Sequence, residues 1–437
     1  MIGVVGGGMA GLAAAHRLQE QGYDVTVFEA SENLGGLAAT YETAGDPIEQ
    51  FYHHLSKSEE TIVEWIEELG LGEDLQWRYG SDAYYVDGVV HPMDKPWEIL
   101  AYPHLSIYDK FRLGMLVLDI DVRGGIPRFD TYETLEDFED VPVKEFILDH
   151  TSRGCFERFF KPLLEAKFGD RWEDVSAAWL LGRIKFRGER DILKGEQLGY
   201  LEGGFGRLIE TLIESVGLMN IFTGSRATDI EIRNGRVESV VVETETGTVP
   251  HAVDGVVVAT MPDVLEQLTG YTCEIDFQGT VCSVLSMDEP LTDTYWLNIA
   301  DTAPFGALIE HTNYVPPERY GGEHLLYAVK YVQGMDDPLW QTDDATVEET
   351  WLDGIEELFP EFDRNSVNWI ATARNPKTAP IYERGYLDMV VPYDLRDEVA
   401  EGVYYAGMAS RAQYPERSLN GAIVAGERCA ELISEND

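Results

Sequence analysis

Near its start the chain carries Gly6-Gly7-Gly8-Met9-Ala10-Gly11, directly after a short apolar run. Glycine at the first of these positions permits a tight turn, at the third lets the backbone approach a diphosphate, and at the sixth lets a helix pack close to a strand. The N–H groups opening that helix then face the phosphates. Glu29 ends the next apolar run, where a carboxylate can accept from ribose hydroxyls; an acid there disfavours a 2′-phosphate, and so disfavours NADP. This is the chemistry of holding a dinucleotide. Two pairs of side chains could move protons: His53 beside His54, and Glu310 beside His311. For each pair a plain packing role, with the imidazole bonded to a neighbour, is the competing reading.

These residues need elements to hold them. Ile2 to Val5 reads as a buried strand, Leu12 to Gln21 as a helix closed by Gly22, and Asp24 to Phe28 as a second strand. From Glu59 to Leu71 the spacing of Ile62, Trp65, Ile66 and Leu69 predicts an amphipathic helix. Residues 76–200 alternate aromatics, prolines and short helical patterns, including Phe111 to Leu118. That stretch suits ordinary burial better than contact with lipid, although its length leaves lipid open. Lys161, Lys167, Lys185 and Lys194 crowd one region, either to receive an anion or as a solvated ion-pair network. A hairpin is predicted at Asn234-Gly235, between strands over 228–232 and 237–242. Asp254 to Met261 reads as a fully buried strand stopped by Pro262. Further strands are expected at 281–287, 305–310 and 325–331. Near the C-terminus, a strand over 402–407 leads through a loop, Met408 to Arg417, into a helix that reaches Ile433.

A second glycine pair, Gly35-Gly36, comes after Glu29 where a nicotinamide dehydrogenase usually continues as a helix. From here the chain resembles the flavoprotein superfamily of amine oxidases, protoporphyrinogen oxidases and phytoene desaturases. The resemblance runs on through Gln50-Phe51-Tyr52-His53-His54-Leu55, Phe160 to Gly169, Tyr200 to Gly206 and the C-terminal strand, loop and helix. It implies non-covalent FAD, since no Cys lies in the loop before the last helix. It carries cofactor contacts onto Gly6, Gly8, Met9, Ala10, Gly11, Glu29 and Ala30, then onto Gly35, Gly36 and Leu37. It adds Ala227 beside the adenine, Thr260, and Gly407, Met408, Arg417, Leu419, Asn420 and Ala422 around the flavin. The dipole of the last helix then favours an anionic reduced ring by roughly 0.3–2 kcal/mol, with Arg417 adding a full charge.

The implied architecture is α/β, or α+β overall: a Rossmann-like FAD-binding domain over 1–75, 200–270 and 385–437, interleaved with a mixed-sheet and helical substrate domain over 76–199 and 271–384. The implied reaction moves a hydride from substrate carbon to flavin N5. Leu37 departs from the superfamily, where Arg often comes after the glycine pair. Three further departures bear on the branch: no lysine stands near Val281-Cys282, Ser418 occupies the place of a cage tyrosine, and no Gly-Thr-Glu comes after the last strand. They lean toward the protoporphyrinogen oxidase-like or desaturase-like branch, whose substrates are large and apolar or amphipathic. A non-redox mutase of a nucleotide sugar, similar to UDP-galactopyranose mutase, is the alternative, and a true amine oxidase the second.

Composition fits an enzyme and sets its surroundings. The 437 residues carry 79 Asp plus Glu against 33 Lys plus Arg, a net charge of -46, and only ten lysines. So negative a surface repels phosphate backbones and argues against nucleic-acid partners. An acidic, Lys-poor surface reads as adaptation to very high salt, where the screening length falls to about 3 Å at 1 M. Cys155, Cys273, Cys282 and Cys429 form no CxxC pair, which argues against a metal site or a disulfide framework and for a reducing cytoplasm. No apolar run approaches the ~20 residues needed to span a bilayer, leaving peripheral membrane contact open. The partner predicted is a small, lipid-like molecule; oligomeric state is not legible.

Overall fold

The computed structural model describes residues 1–117, 132–185, 190–191, 194–244 and 247–436. Its organising element is a five-stranded sheet in the order Ile221–Phe222, Val25–Phe28, Ile2–Val5, Gly255–Val258, Val403–Tyr405. Every neighbouring pair is parallel. Ile2–Val5 and Gly255–Val258 are buried at every residue, which is why both read as unbroken apolar runs. In register, Val5 lies beside Phe28 and Val258, and Val258 beside Tyr405. The strands therefore end together, and the residues just past their ends (Gly6, Glu29, Ala259, Ala406) emerge at one edge.

Helix Met9–Glu20 makes the first crossover and packs against the C-terminal helix Leu419–Asn436. Their axes come close because Gly426 has no side chain: a Cβ there would lie 2.5 Å from the Ala10 carbonyl oxygen and 2.8 Å from Ala14 N. Gly11 does the same between helix and sheet, where a Cβ would collide with the Gly6 carbonyl oxygen.

A second, seven-stranded sheet runs Val367–Pro380, Phe277–Met287, His324–Val332, Ala307–Glu310, Trp296–Ile299, Asp82–Val86, Val89–Pro92. It is antiparallel except where Trp296–Ile299 meets Asp82–Val86. The predicted strands in 281–331 are all present. The last two strands were not singled out within 76–200, where short helical patterns were read. Their turn, Asp87 at φ 51 and Gly88 at φ 77, is an Asp-Gly hairpin signal that the sequence does display. The predicted Asn234-Gly235 hairpin closes Arg226–Arg233 onto Arg236–Thr244.

Helices Pro96–Ala101, Ile107–Val117, Val143–His150, Lys161–Phe168 and Ala177–Lys185 cover the region between the sheets. The helix predicted over 111–118 thus starts earlier, at Ile107, and Leu118 lies outside the described residues. Only one side of that helix is buried. Leu113, Met115 and Leu116 are inside, in keeping with the ordinary burial expected for the stretch, while Phe111 faces solvent, as do Ile107 and Tyr108 ahead of the predicted start.

Gly426→Ala should separate the two helices on the parallel sheet. Overpacking of this kind costs about 1–3 kcal/mol. The urea midpoint of the flavin-loaded protein should fall at constant salt; an unchanged midpoint would mean the helices have slack that their contacts do not suggest.

Candidate functional site

The carboxyl edge of the parallel sheet opens into a cavity of about 1340 Å³. Gly6 turns the chain at φ +109, with no room for a Cβ against the Ala259 carbonyl oxygen 2.5 Å away. Gly7 N and Ser31 N each donate to the Glu29 carboxylate at 2.7 Å, fixing it beside the turn. Gly35 N donates to Gly7 O at 2.9 Å, drawing the second glycine pair onto the first. A Cβ on Gly36 would come 3.4 Å from the Gly8 Cα. Helix Met9–Glu20 begins at Gly8 with no side-chain cap and no acid in its first turn, so its leading N–H groups stay open toward the cavity. A backbone cradle, an open helix N-terminus and a braced carboxylate match the phosphate and ribose of a dinucleotide.

Gly6, Gly8, Met9, Ala10, Glu29, Gly35, Gly36, Leu37, Thr260, Gly407, Met408, Arg417, Leu419, Asn420 and Ala422 all line this cavity. Three predicted contacts do not. Gly11 is occupied with helix packing. Ala30 lies just past the braced Glu29, off the lining. Ala227 pairs with Val242 in the three-stranded sheet, away from the cavity.

His53 and His54 are both on the lining. His53 Nδ1 lies 2.6 Å from the Phe51 carbonyl oxygen. A carbonyl only accepts, so the proton sits on Nδ1 and Nε2 carries the lone pair. Burial, and then the nearby Arg417 charge, push the imidazole down from 6.5 to about 4. His54 Nδ1 is 2.9 Å from the Tyr295 hydroxyl. The segment holding both is anchored by Glu49, which sequence reasoning missed. Its buried carboxyl accepts from Tyr200 Oη at 2.7 Å and Phe205 N at 2.6 Å, and its carbonyl accepts from Tyr327 Oη at 2.7 Å.

Glu310 and His311 require a correction: neither touches the cavity. The Glu310 carboxylate accepts from Leu291 N and Thr292 N at 2.8 Å and from Thr292 Oγ1 at 2.9 Å, tying a loop to the strand end. His311 Nε2 meets the Tyr320 hydroxyl at 2.6 Å, and burial lowers its basicity to about 3. Both are thus bonded into their own surroundings, off the cavity lining.

A cationic group forms another stretch of the lining. Lys167 Nζ and Arg183 Nη1 share one carboxylate, Glu416, at 2.5 and 2.6 Å. Arg417 has no carboxylate within ion-pair distance among the described residues. It faces the hydroxyls of Tyr52 and Tyr331, which are 2.9 Å apart. Arg183, Glu416, Tyr52 and Tyr331 were not singled out from the sequence. Of the clustered lysines, Lys161 pairs with Glu165, Lys194 sits over the Tyr79 ring, and the Lys185 side chain lies outside the described residues. Among the described residues no His, Cys, Asp and Glu cluster could hold a metal.

A dinucleotide cradle at the edge of a parallel sheet, sharing one cavity with a second, mixed-sheet unit, defines a flavoprotein oxidoreductase architecture. Comparison with known proteins agrees. The chain belongs to the family described as flavin containing amine oxidoreductase, whose model matches residues 9–434. FAD is accordingly its cofactor, and oxidoreduction its class of reaction. It is 26% identical over 396 residues to the flavin-dependent L-tryptophan oxidase RebO of Lentzea aerocolonigenes, covering 82% of this chain and 81% of that one. It is 34% identical over 230 residues to AofH of Mycobacterium tuberculosis, a protein named as a flavin-containing monoamine oxidase; the match spans 49% of this chain and only 48% of AofH. A solved structure from Exiguobacterium sp. 255-15, carrying the name protoporphyrinogen oxidase, superposes with a TM-score of 0.79 at 20% identity, over 100% of this chain and 99% of that one. At that identity it speaks for the fold alone.

His53 should stay neutral across the physiological range. The unfolded imidazole takes up its proton near 6.5 and the folded one only near 4, so acidification favours the unfolded chain through this group. Its contribution to stability is complete above 6.5 and lost as pH falls toward 4. In NMR spectra with labelled histidine, a His53 resonance titrating between pH 6 and 7 would contradict this burial.

Proposed function

We propose that the chain removes a hydride from a large apolar or amphipathic substrate, in the manner of a protoporphyrinogen oxidase or a desaturase. The observation that carries this reading is the second half of the cavity lining. The space bounded by the glycine cradle is also bounded by Tyr84, Leu113, Phe159, Phe160, Leu163, Leu164, Trp179 and Trp296. A volume of about 1340 Å³ exceeds the roughly 1,000 Å³ upper range of single-ligand sites, leaving room for a second molecule beside a dinucleotide.

FAD, when bound, supplies the hydride acceptor. The chain's own residues would do the rest. The N–H groups opening helix Met9–Glu20 would bind the diphosphate, with Gly8 and Gly36 allowing the backbone to come close. Glu29 would accept from ribose hydroxyls. Thr260, Gly407, Met408, Leu419, Asn420 and Ala422 would pack around the ring system, with Arg417 balancing negative charge. His53 and His54 are the side chains proposed to handle the substrate proton. His53 can receive it only at Nε2, because Nδ1–H is committed to Phe51. The aromatic lining would exclude water and orient the substrate. On the stretch of lining formed by Lys167, Arg183 and Arg417, with Glu416 as the acid among them, an ammonium group would meet more positive than negative charge, which weighs against a simple amine seated there.

The division at 1–75, 200–270 and 385–437 against 76–199 and 271–384 remains our proposal for the two units. A cytosol of high salt is likewise proposed from the charge of -46 with ten lysines. Surface carboxylates that repel in dilute buffer are screened in molar KCl. The thermal midpoint should therefore rise with KCl, and a salt-independent midpoint would remove the argument.

Gly8→Val should leave a folded protein without bound flavin, seen as loss of the visible flavin bands; full flavin content would refute the placement of the diphosphate. Anaerobic mixing with porphyrinogens, polyprenyl lipids and amines tests the substrate class. Bleaching by a porphyrinogen or polyprenyl lipid is expected. Bleaching by amines alone would favour an amine oxidase, and isomerisation of a nucleotide sugar without consumption of an acceptor would favour the mutase. With the substrate found, His53→Ala or His54→Ala should lower kcat by about 10²–10⁴-fold if the imidazole transfers a proton.

A further inference from the structure

Strand His324–Val332 carries Tyr331 to the cavity lining, beside Tyr52 of the loop that bears the two imidazoles. The two hydroxyls lie 2.9 Å apart, so one donates to the other. Helix Lys161–Phe168 packs against the same strand. A Cβ on Gly306 would lie 3.6 Å from Ala166 Cβ and 3.9 Å from the Val329 carbonyl oxygen, and one on Gly169 would lie 2.9 Å from Gln333 Cγ. Lys167, between these two points of approach, is thereby set alongside Tyr331. Arg417 comes from the loop before the last helix and faces both hydroxyls.

The charges on this wall do not balance. Lys167 and Arg183 share Glu416, and Arg417 has no carboxylate within ion-pair distance among the described residues. A cation drawn away from bulk water calls for a counter-charge. Besides the shared Glu416, the groups facing Arg417 that could supply one are the phenols of Tyr331, Tyr52 and Tyr382. Tyr382 donates to the Gln413 carbonyl oxygen at 2.9 Å, and burial pushes it well above its ordinary value. Tyr52 is likewise pushed well up, by burial and then by Tyr331. Cys282, on the neighbouring strand Phe277–Met287, is kept a thiol by burial. Burial acts on Tyr331 in the same upward direction. There, however, Lys167, then Arg417 and the Tyr52 hydroxyl, outweigh it and hold the phenol below its ordinary value, with Glu416 opposing them. Of the groups facing Arg417, Tyr331 is the one that its surroundings favour as an anion.

We propose that Tyr331 is the final acceptor of the substrate's proton, standing as a phenolate between Lys167 and Arg417 with the Tyr52 hydroxyl donating to it. The proposal rests on the reading that a substrate loses a hydride in this cavity. One substrate C–H bond breaks with its electron pair leaving to FAD as hydride. An adjacent N–H or C–H bond breaks as well: its electron pair forms the new double bond, and its proton ends on the Tyr331 oxygen, turning phenolate into phenol. The substrate is oxidised by two electrons and FAD reduced by the same two. His53 cannot be the end of this path. An imidazole pushed down to about 4 can pass a proton on but does not keep it at neutral pH. A phenol lowered toward neutrality by two cations keeps it, and releases it again as the pH rises.

The first test needs no substrate. Flavin-loaded protein in molar KCl is titrated with base while the near-ultraviolet tyrosinate band is followed by difference absorption. Of the 22 tyrosines, one should ionise in a separate step, below the ordinary phenol value of about 10. Tyr331→Phe should remove that step. Tyr52→Phe and Lys167→Gln should move it to higher pH, and either serves if the other folds poorly, with retained flavin reporting folding in each case. A titration with no early step, or an early step that survives in Tyr331→Phe, would overturn the proposal. The second test uses whichever compound bleaches the flavin, be it porphyrinogen, polyprenyl lipid or amine. Wild-type kcat/KM should rise with pH through the same step, and Tyr331→Phe should lower it about 10²–10⁴-fold at neutral pH and flatten the profile. An unchanged profile in Tyr331→Phe would show that the proton goes elsewhere. Because the tyrosinate step is read without substrate, it stands or falls apart from the substrate class proposed above.

Discussion

The structure depends on backbone meeting backbone at the carboxyl edge of the parallel sheet. Segments 6–11, 35–36, 259–260 and 406–407, spread over the length of the chain, converge there. Several of their approaches leave no room for a Cβ. Gly6 abuts the Ala259 carbonyl, Gly407 abuts that of Thr260, and Gly36 lies against Gly8. At Gly6 and Gly36, φ values of +109 and +58 add a conformational reason for glycine. A side chain at Gly6 or Gly407 would push the strands' successors apart and close the space where a dinucleotide would lie. The register that brings Val5, Phe28, Val258 and Tyr405 level is thus set by the need for the residues after them to share one edge.

What the cradle cannot provide comes through contacts between segments far apart in the chain. The loop bearing Tyr52, His53 and His54 is held by Glu49, whose buried carboxyl has two donors and no cation in its hydrogen bonds. Burial pushes such an acid up, and the Tyr200 hydroxyl and Phe205 N–H only partly offset this. The arrangement costs stability but fixes the loop against Tyr200, Phe205 and Tyr327, which belong to elements from both halves of the chain. The cations beside the cavity are also borrowed over distance: Lys167 and Arg183 come from separate helices and converge on Glu416. Two positive charges share one negative one, and Arg417 adds a third without a carboxylate. Local positive potential thereby survives inside a strongly acidic molecule.

This division explains what the sequence could reveal. Glycine spacing is a local constraint, so the first strand, helix and second strand, the glycine pair at 35–36 and the final strand and helix were legible, with shifts of up to three residues at their ends. The Asn234-Gly235 hairpin was legible for the same reason. The Asp87-Gly88 hairpin carried an equal signal but stood among helical and aromatic patterns that masked it. Arg183, Glu416, Tyr52 and Tyr331 have no local signature at all. Their role exists only once helix Ala177–Lys185, the C-terminal loop and strand His324–Val332 are brought together. The exposure of Phe111 was not legible, because apolar spacing alone cannot tell which residues at the edge of a helix face meet the core.

The two acid–base candidates differ for a reason that lies in the backbone. Glu310 ends strand Ala307–Glu310, and His311 opens the short 3₁₀ turn His311–Asn313 that leaves it. Each is held by its own partners off the cavity lining: the 291–292 loop for the acid, Tyr320 for the imidazole. His53 and His54 are equally adjacent but lie between the short strands Ile48–Glu49 and Leu55–Ser56, in irregular backbone. Both reach the cavity lining. The anchoring of that loop by Glu49 holds both imidazoles at the lining.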